Sequence, residues 1–167
     1  MTELPADLVE LAKDVLATAR AQRKRVVTAE SCTGGLIASC LTAVPGSSAV
    51  VEGGFVTYSN DSKMRLLGVP RDALASHGAV SDIVASAMAE GALAVAQADI
   101  AVSVTGIAGP DGGSKEKPVG LVFMALAQTD TDAQVKRYVF AGTRTDVRRA
   151  AVGAALELLL STLKADA

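Results

Sequence analysis

Ser31, Cys32 and Thr33 stand in a row in the stretch AESCTGGLIAS, directly after Glu30 and before Gly34 and Gly35. Three side chains able to attack or donate, set just ahead of a helical pattern, have two readings. In the plain one, Ser31 or Thr33 caps the helix, a role for which both residue types are preferred. In the chemical one, Ser31 is a nucleophile at a strand tip. The unpaired N–H groups of the helix start, near Cys32 to Gly35, or else groups of the Thr105 region, could then hold an anion or the oxyanion of a tetrahedral intermediate. Gly34 and Gly35 would let a substrate approach the backbone. Cys32 is the rival nucleophile, although a small buried thiol is the commoner role. Cys40, two helical turns on, reads as core.

A serine nucleophile needs a base. The chain has one histidine, His77, and a lone histidine before a glycine reads more readily as a surface or capping residue. Lys63 is the alternative, because burial or positive potential lowers a lysine pKa into a useful range. It falls in the first turn of the helical segment DSKMRLLG, where the helix dipole disfavours a cation; an ordinary solvated lysine is the competing reading. Tyr58, at the end of the second strand, could donate or relay a proton, or simply be a half-buried strand aromatic.

A second cluster lies in SVTGIAGPDGG, Ser103 to Gly113. Its glycines, among them Gly106, Gly109 and Gly112, can present several N–H groups to a ligand, and Thr105 adds a hydroxyl. The spacing matches neither a P-loop nor a dinucleotide fingerprint, so a long tight turn stays open as the alternative. Arg144, Arg148 and Arg149 crowd the start of the last helix, against its dipole. A bound phosphate would reverse that penalty; solvation, or pairing with Asp146, would also account for them. There is no histidine cluster, and two cysteines eight apart do not form a zinc pattern, so neither a metal site nor a cofactor is expected.

These groups must be held by a scaffold, and the hydrophobic periodicity outlines one. A helix is predicted over 5–24, a strand near 25–29 and a helix over 34–43. A second strand covers 49–59, with Gly53 and Gly54 suggesting a bulge. Two short helical pieces follow, then a longer helix opened by Ser81 and Asp82. DIAVSVTG is a third strand, and LVFMALA and QVKRYVFA form a hairpin. The last helix starts near Thr145, with Val152, Leu156, Leu159 and Leu163 as its inner stripe. Early alternation of strands and helices implies parallel pairing, and the hairpin makes the sheet mixed.

The bulk properties agree. The chain has 167 residues, half of them hydrophobic and 20% charged, which fits one globular domain over 1–167. A net charge of −2 gives no electrostatic footprint for nucleic acid. No apolar run reaches the ~20 residues of a membrane span, and the acidic N-terminus is unlike a signal peptide. Two cysteines fit a reducing, cytoplasmic setting.

The fragments TAESCTGG, VPGSS, GGFVTYSNDSK, LGV, HGAVS, VTGIAGPDGG and KPVG occur in this order. Together they resemble the CinA C-terminal domain family, over about residues 8–163. That resemblance implies a three-layer α/β/α sandwich around a mixed, mostly parallel sheet of about five strands. It also implies hydrolysis of the carboxamide of nicotinamide mononucleotide (NMN) to nicotinate mononucleotide and ammonia, in pyridine-nucleotide recycling. The family's serine nucleophile falls on Ser31, its tyrosine and lysine partners on Tyr58 and Lys63, and its threonine–glycine pair on Thr105 and Gly106. Its G-x-R falls on Gly142 to Arg144, with Thr143 where an acidic residue is more usual. The resemblance and the alanine-rich helices together lead us to expect a homo-oligomer, a dimer first. Against this stand a pocket that binds without turnover, a regulatory domain acting through its exterior, and an amidohydrolase for another small amide.

Overall fold

A computed structural model describes residues 4–166. Residues 1–3, on which the signal-peptide reading partly rests, and residue 167 of the single-domain assignment lie outside the described residues. The elements are α1 (Ala6–Ala21), β1 (Val26–Glu30), α2 (Leu36–Thr42), β2 (Val51–Val56), α3 (Asn60–Leu67), α4 (Arg71–His77), α5 (Asp82–Ala96), β3 (Ile100–Gly106), β4 (Leu121–Gln128), β5 (Gln134–Val139) and α6 (Arg144–Ala165).

The strands form one sheet in the order β2-β1-β3-β4-β5. β1 pairs parallel with β2 and β3, whereas β4 is antiparallel to both β3 and β5. Four strands therefore run one way and β4 alone runs back: β1, β2 and β3 are each entered after a helical segment, whereas β4 returns directly from β3 and β5 returns directly from β4. The expected bulge is present at the start of β2: Val26 pairs with Val51 and Val27 with Gly53, so Glu52 is passed over.

The period-2 alternation of the strands feeds two cores. Val26, Ile100, Val102, Val104, Val122 and Met124 pack against α1, α2 and α6. Val27, Ala29, Ala101, Ala125 and Ala127 pack against α3, α4 and α5. Small residues on this second face let helices come close. A Cβ on Gly91 of α5 would stand 1.9 Å from the Leu67 carbonyl oxygen at the end of α3. Among the described residues no helix is long and apolar enough to cross a membrane.

The same alternation sorts the tip of β1. Val26, Thr28 and Glu30 face the α2 side; Val27, Ala29 and then Ser31 face the α3–α5 side. On β3, Ser103 and Thr105 share that second face: Ser103 donates to the Ala85 carbonyl and Thr105 to the Ala79 carbonyl.

Candidate active site

At the carboxyl end of β1 the chain makes a turn before α2. Ser31 continues the sheet, its N–H donating to the Val104 carbonyl. Gly34 and Gly35 then adopt φ of +62° and +94°, a left-handed region that glycine enters without steric cost. Helix α2 consequently begins at Leu36, two residues later than its hydrophobic pattern suggests. Its N-cap is Gly35, and no side chain of the capping residue serves it, so neither Ser31 nor Thr33 is the cap.

Glu30 does that work instead. It is fully buried, and its carboxylate accepts from the N–H groups of Gly35 and Ile37 through Oε2 and of Ala38 through Oε1, at 2.9–3.1 Å. A buried carboxylate without partners would be strongly unfavourable; here three amides and the positive end of the α2 dipole satisfy it. Of the amides near Cys32 to Gly35 expected to serve an oxyanion, two are already engaged. Gly34 N–H donates to the Ser31 carbonyl and Gly35 N–H to Glu30. Among the described residues, the amides of Cys32 and Thr33 keep no protein acceptor.

Lys63 reaches Ser31 from the second strand's side. Ser59 caps α3 by accepting from Ser62 N–H, and Lys63 shares the inward face of the helix with Leu67. The side chain of Lys63 is thus carried into the core, where the residue is 1% exposed. Its Nζ lies 3.0 Å from Ser31 Oγ, 2.8 Å from the Thr57 carbonyl oxygen and 3.5 Å from that of Tyr58. Burial pushes its pKa down, opposed by a smaller influence of Cys32. Among the described residues no carboxylate pairs with it. Burial without a paired carboxylate favours the neutral form of the amine.

Cys32 is also buried, and burial foremost, with the nearby Glu30 charge contributing, raises its thiol to about 11. It is a thiol at neutral pH and a poor nucleophile. Cys40 is a free thiol in the core beside α1 and α6. His77 ends α4, exposed and outside the Ser31 cavity.

Ser31, Cys32, Tyr58, Lys63, Thr105 and Arg144 surround a cavity of about 230 Å³, with Gly106 beside Thr105. Asn60, Ala79, Val80 and Ala108 line it as well; these four escaped the sequence reading. Tyr58 lies beyond the end of β2, largely exposed rather than half-buried in the strand. Its phenol oxygen accepts from Arg144 Nη2 at 2.9 Å, while Arg144 Nη1 donates to the Gly109 carbonyl at 3.0 Å. Arg144 therefore ties three cavity edges together: the β2–α3 link, the β3–β4 loop and the start of α6.

The remaining expected site residues are placed otherwise. Arg148 does not line the cavity; its Nη2 donates to the Thr33 carbonyl at 3.0 Å, against the back of the Ser31–Gly35 turn. Thr33, Gly34 and Gly35 shape that turn without lining the cavity, Gly109 contributes its carbonyl to Arg144, and Gly112 is exposed on the outer loop. Arg149 pairs with Asp7 at 2.6 Å on the surface. Asp146 is engaged not by arginine but by Thr143. Thr143 caps α6 and exchanges hydrogen bonds with Asp146 in a capping box, so threonine at this position is a structural asset. A larger and more open cavity of about 650 Å³ lies between α1, β5 and α6, but it holds no hydroxyl–amine pair.

With this geometry in hand, the likenesses to known proteins take on meaning. The family model described as CinA C-terminal domain matches residues 8–163. A curated relative named nicotinamide-nucleotide amidohydrolase PncC, from Escherichia coli K12, is 50% identical over 154 residues, covering 92% of this chain and 93% of that protein. A CinA-like protein from Anaeromyxobacter sp. (strain K) is 51% identical over 93% of this chain, which spans 38% of that longer protein. The crystal structure of the competence/damage inducible protein CihA from Agrobacterium tumefaciens superposes with a TM-score of 0.93 at 48% identity, over 98% of this chain and 99% of that one.

Proposed function

Because this chain belongs to the CinA C-terminal domain family, we propose that it is a nicotinamide-nucleotide amidohydrolase. It would hydrolyse the carboxamide of NMN to nicotinate mononucleotide and ammonia, in the recycling of pyridine nucleotides. The observation that carries the reading is the 3.0 Å contact between Ser31 Oγ and the buried Lys63 amine. Separated by 32 positions in the chain, the two meet only because β1 and α3 converge on one cavity.

The chemistry follows from the contacts. As a neutral amine, Lys63 donates its two protons toward the Thr57 and Tyr58 carbonyls and directs its lone pair at the Ser31 hydroxyl. Ser31 gives its proton to Lys63 as its oxygen bonds to the carboxamide carbon. The carbonyl π pair moves onto oxygen, and the amide of Cys32, the cavity-lining residue of the turn whose N–H is free, is the donor at hand for it. Collapse of the intermediate breaks the C–N bond, and the proton held on Lys63 goes to the leaving nitrogen, which departs as ammonia. A water, deprotonated by the same amine, then cleaves the acyl-enzyme to the carboxylate and restores Ser31.

Tyr58 is the proton relay or donor at the cavity rim. Its oxygen accepts from Arg144, which leaves its own O–H free to donate. Thr105, held by the Ala79 carbonyl, closes the opposite wall. A cavity of about 230 Å³ falls below the ~300–1,000 Å³ of pockets that enclose a whole drug-sized ligand. The pyridine carboxamide fits inside, and the ribose phosphate extends to the rim, where Arg144 supplies positive charge. No metal or cofactor enters the reaction. The whole chain acts as one domain, in the cytoplasm, where Cys32 and Cys40 stay reduced, and as a homodimer.

The test is ammonia release by the purified chain with NMN, nicotinamide and glutamine as separate substrates. Release from NMN far above the other two is expected. Tight NMN binding without ammonia, or equal release from all three, contradicts the reading.

A further inference from the structure

We propose that Glu30 is a positioning residue for this reaction. By holding the Gly35, Ile37 and Ala38 amides, its carboxylate fixes the Ser31–Gly35 turn in the form that aims Ser31 at Lys63. The same form leaves the Cys32 and Thr33 amides free. The inference rests on the amidohydrolase reading for the identity of the reaction, but not for the geometry.

Three observations carry it. Glu30 immediately precedes the nucleophile and alternates with it across the sheet, so one residue anchors the turn on the α2 side while the next attacks on the α3 side. The carboxylate is fully buried and spends both oxygens on the three amides of the helix start. An isolated charge in that position would be strongly unfavourable, and an ordinary Ser or Thr cap would satisfy the helix start without one. The turn it secures has two consecutive left-handed glycines, a conformation with little intrinsic preference of its own. On the other side, Arg148 grips the Thr33 carbonyl. The turn is therefore held at both ends by charged groups that never touch the cavity.

The same carboxylate has a chemical consequence. Its charge adds to burial in keeping the neighbouring Cys32 thiol protonated, so the turn presents a single nucleophile, the hydroxyl of Ser31. Helix α2, its N-terminus already occupied, is not the site that receives the substrate's anion; that role is left to the opposite rim.

The experiment compares Glu30→Gln and Glu30→Asp with wild type in three readouts: kcat and KM for NMN, labelling of Ser31 by a fluorophosphonate, and alkylation of Cys32 by iodoacetamide across pH. Glutamine sets an NH₂ against amide donors; aspartate keeps the charge but is one methylene too short. A displacement of about 1 Å can cost about 100-fold in rate. Both variants should lose roughly that factor in kcat and in Ser31 labelling, with KM changed less than about threefold. Cys32 alkylation should accelerate in Glu30→Gln and stay slow in Glu30→Asp, a split that general loosening of the fold would not produce. Should Glu30→Gln not fold, Glu30→Asp carries the kinetic and labelling test by itself. Wild-type kcat and labelling in a folded variant overturn the proposal. If wild type releases no ammonia from NMN yet loses Ser31 labelling on substitution, the amidohydrolase reading falls and the positioning role stands.

Discussion

Replacing Lys63 with methionine separates its chemistry from its packing. Methionine is unbranched and fills nearly the same space, so the core face that Lys63 shares with Leu67 stays occupied. What disappears is the amine. The well-formed bond to the Thr57 carbonyl at 2.8 Å is lost, whereas the 3.5 Å contact to Tyr58 contributes little. Orphaning one buried carbonyl costs about 1–3 kcal/mol, offset in part because a buried amine no longer has to be desolvated. The variant should remain folded. Its rate should fall by the value of a positioned general base, about 10²–10⁴-fold in kcat/KM. The pH dependence adds a second check. Burial lowers the pKa of Lys63 in the folded protein below its usual 10.5, so between the lowered value and 10.5 the unfolded chain holds more protons. Wild-type stability therefore gains an upward slope with pH across that window, absent in Lys63→Met. Wild-type activity rises over the same lowered pKa as the amine becomes free to accept a proton. Initial-rate ammonia release from pH 6 to 10 and denaturant unfolding at the same pH values give both curves. A variant within tenfold of wild type, with an unchanged pH profile, would refute the assignment of the base.

Cys32→Ala should keep most of its NMN turnover, since a thiol raised to about 11 supplies almost no thiolate at pH 7; a loss as large as that of Lys63→Met would make Cys32 the nucleophile. Arg144→Ala should raise KM for NMN, by tenfold or more if the phosphate sits on this guanidinium, and should loosen Tyr58; an unchanged KM places the phosphate elsewhere. Gly91→Ala puts a Cβ 1.9 Å from the Leu67 carbonyl oxygen, so α3 must shift. Overpacking of this kind costs about 1–3 kcal/mol, more than the ~1 kcal/mol gained in helix propensity. Thermal melting should show the loss, and activity should fall with it because α3 carries Lys63.

Much of this architecture could be read from local pattern. RVVTA, DIAVSVTG and the final hairpin carry β-branched alternation dense enough to mark strands, and the inner stripe of α6 follows from its leucine spacing. Lys63 stood out because it broke a local rule, a cation near a helix start, and a buried amine at Ser31 is the resolution. The rest depends on contacts between distant segments. Glu30 at a strand end looks like any solvated acid until α2 folds back over it. Arg148 reads as a phosphate ligand because the helix start is basic, yet its partner is the Thr33 carbonyl, 115 positions away. The Tyr58–Arg144 bond spans 86 positions and leaves no periodic trace. Asn60 stands just ahead of the DSKMRLLG pattern, where no periodicity marks an inward side chain. The capping box of Thr143 and Asp146, by contrast, is legible from the three-residue spacing alone.

The central claim is that the hydroxyl of Ser31 forms the bond to the carboxamide carbon. Ammonia release from NMN by purified, folded Ser31→Ala measures it most directly. The account predicts a fall of more than ~10³-fold in kcat, with NMN still bound. Turnover within tenfold of wild type would contradict it, because the Lys63 amine would then be activating some other nucleophile.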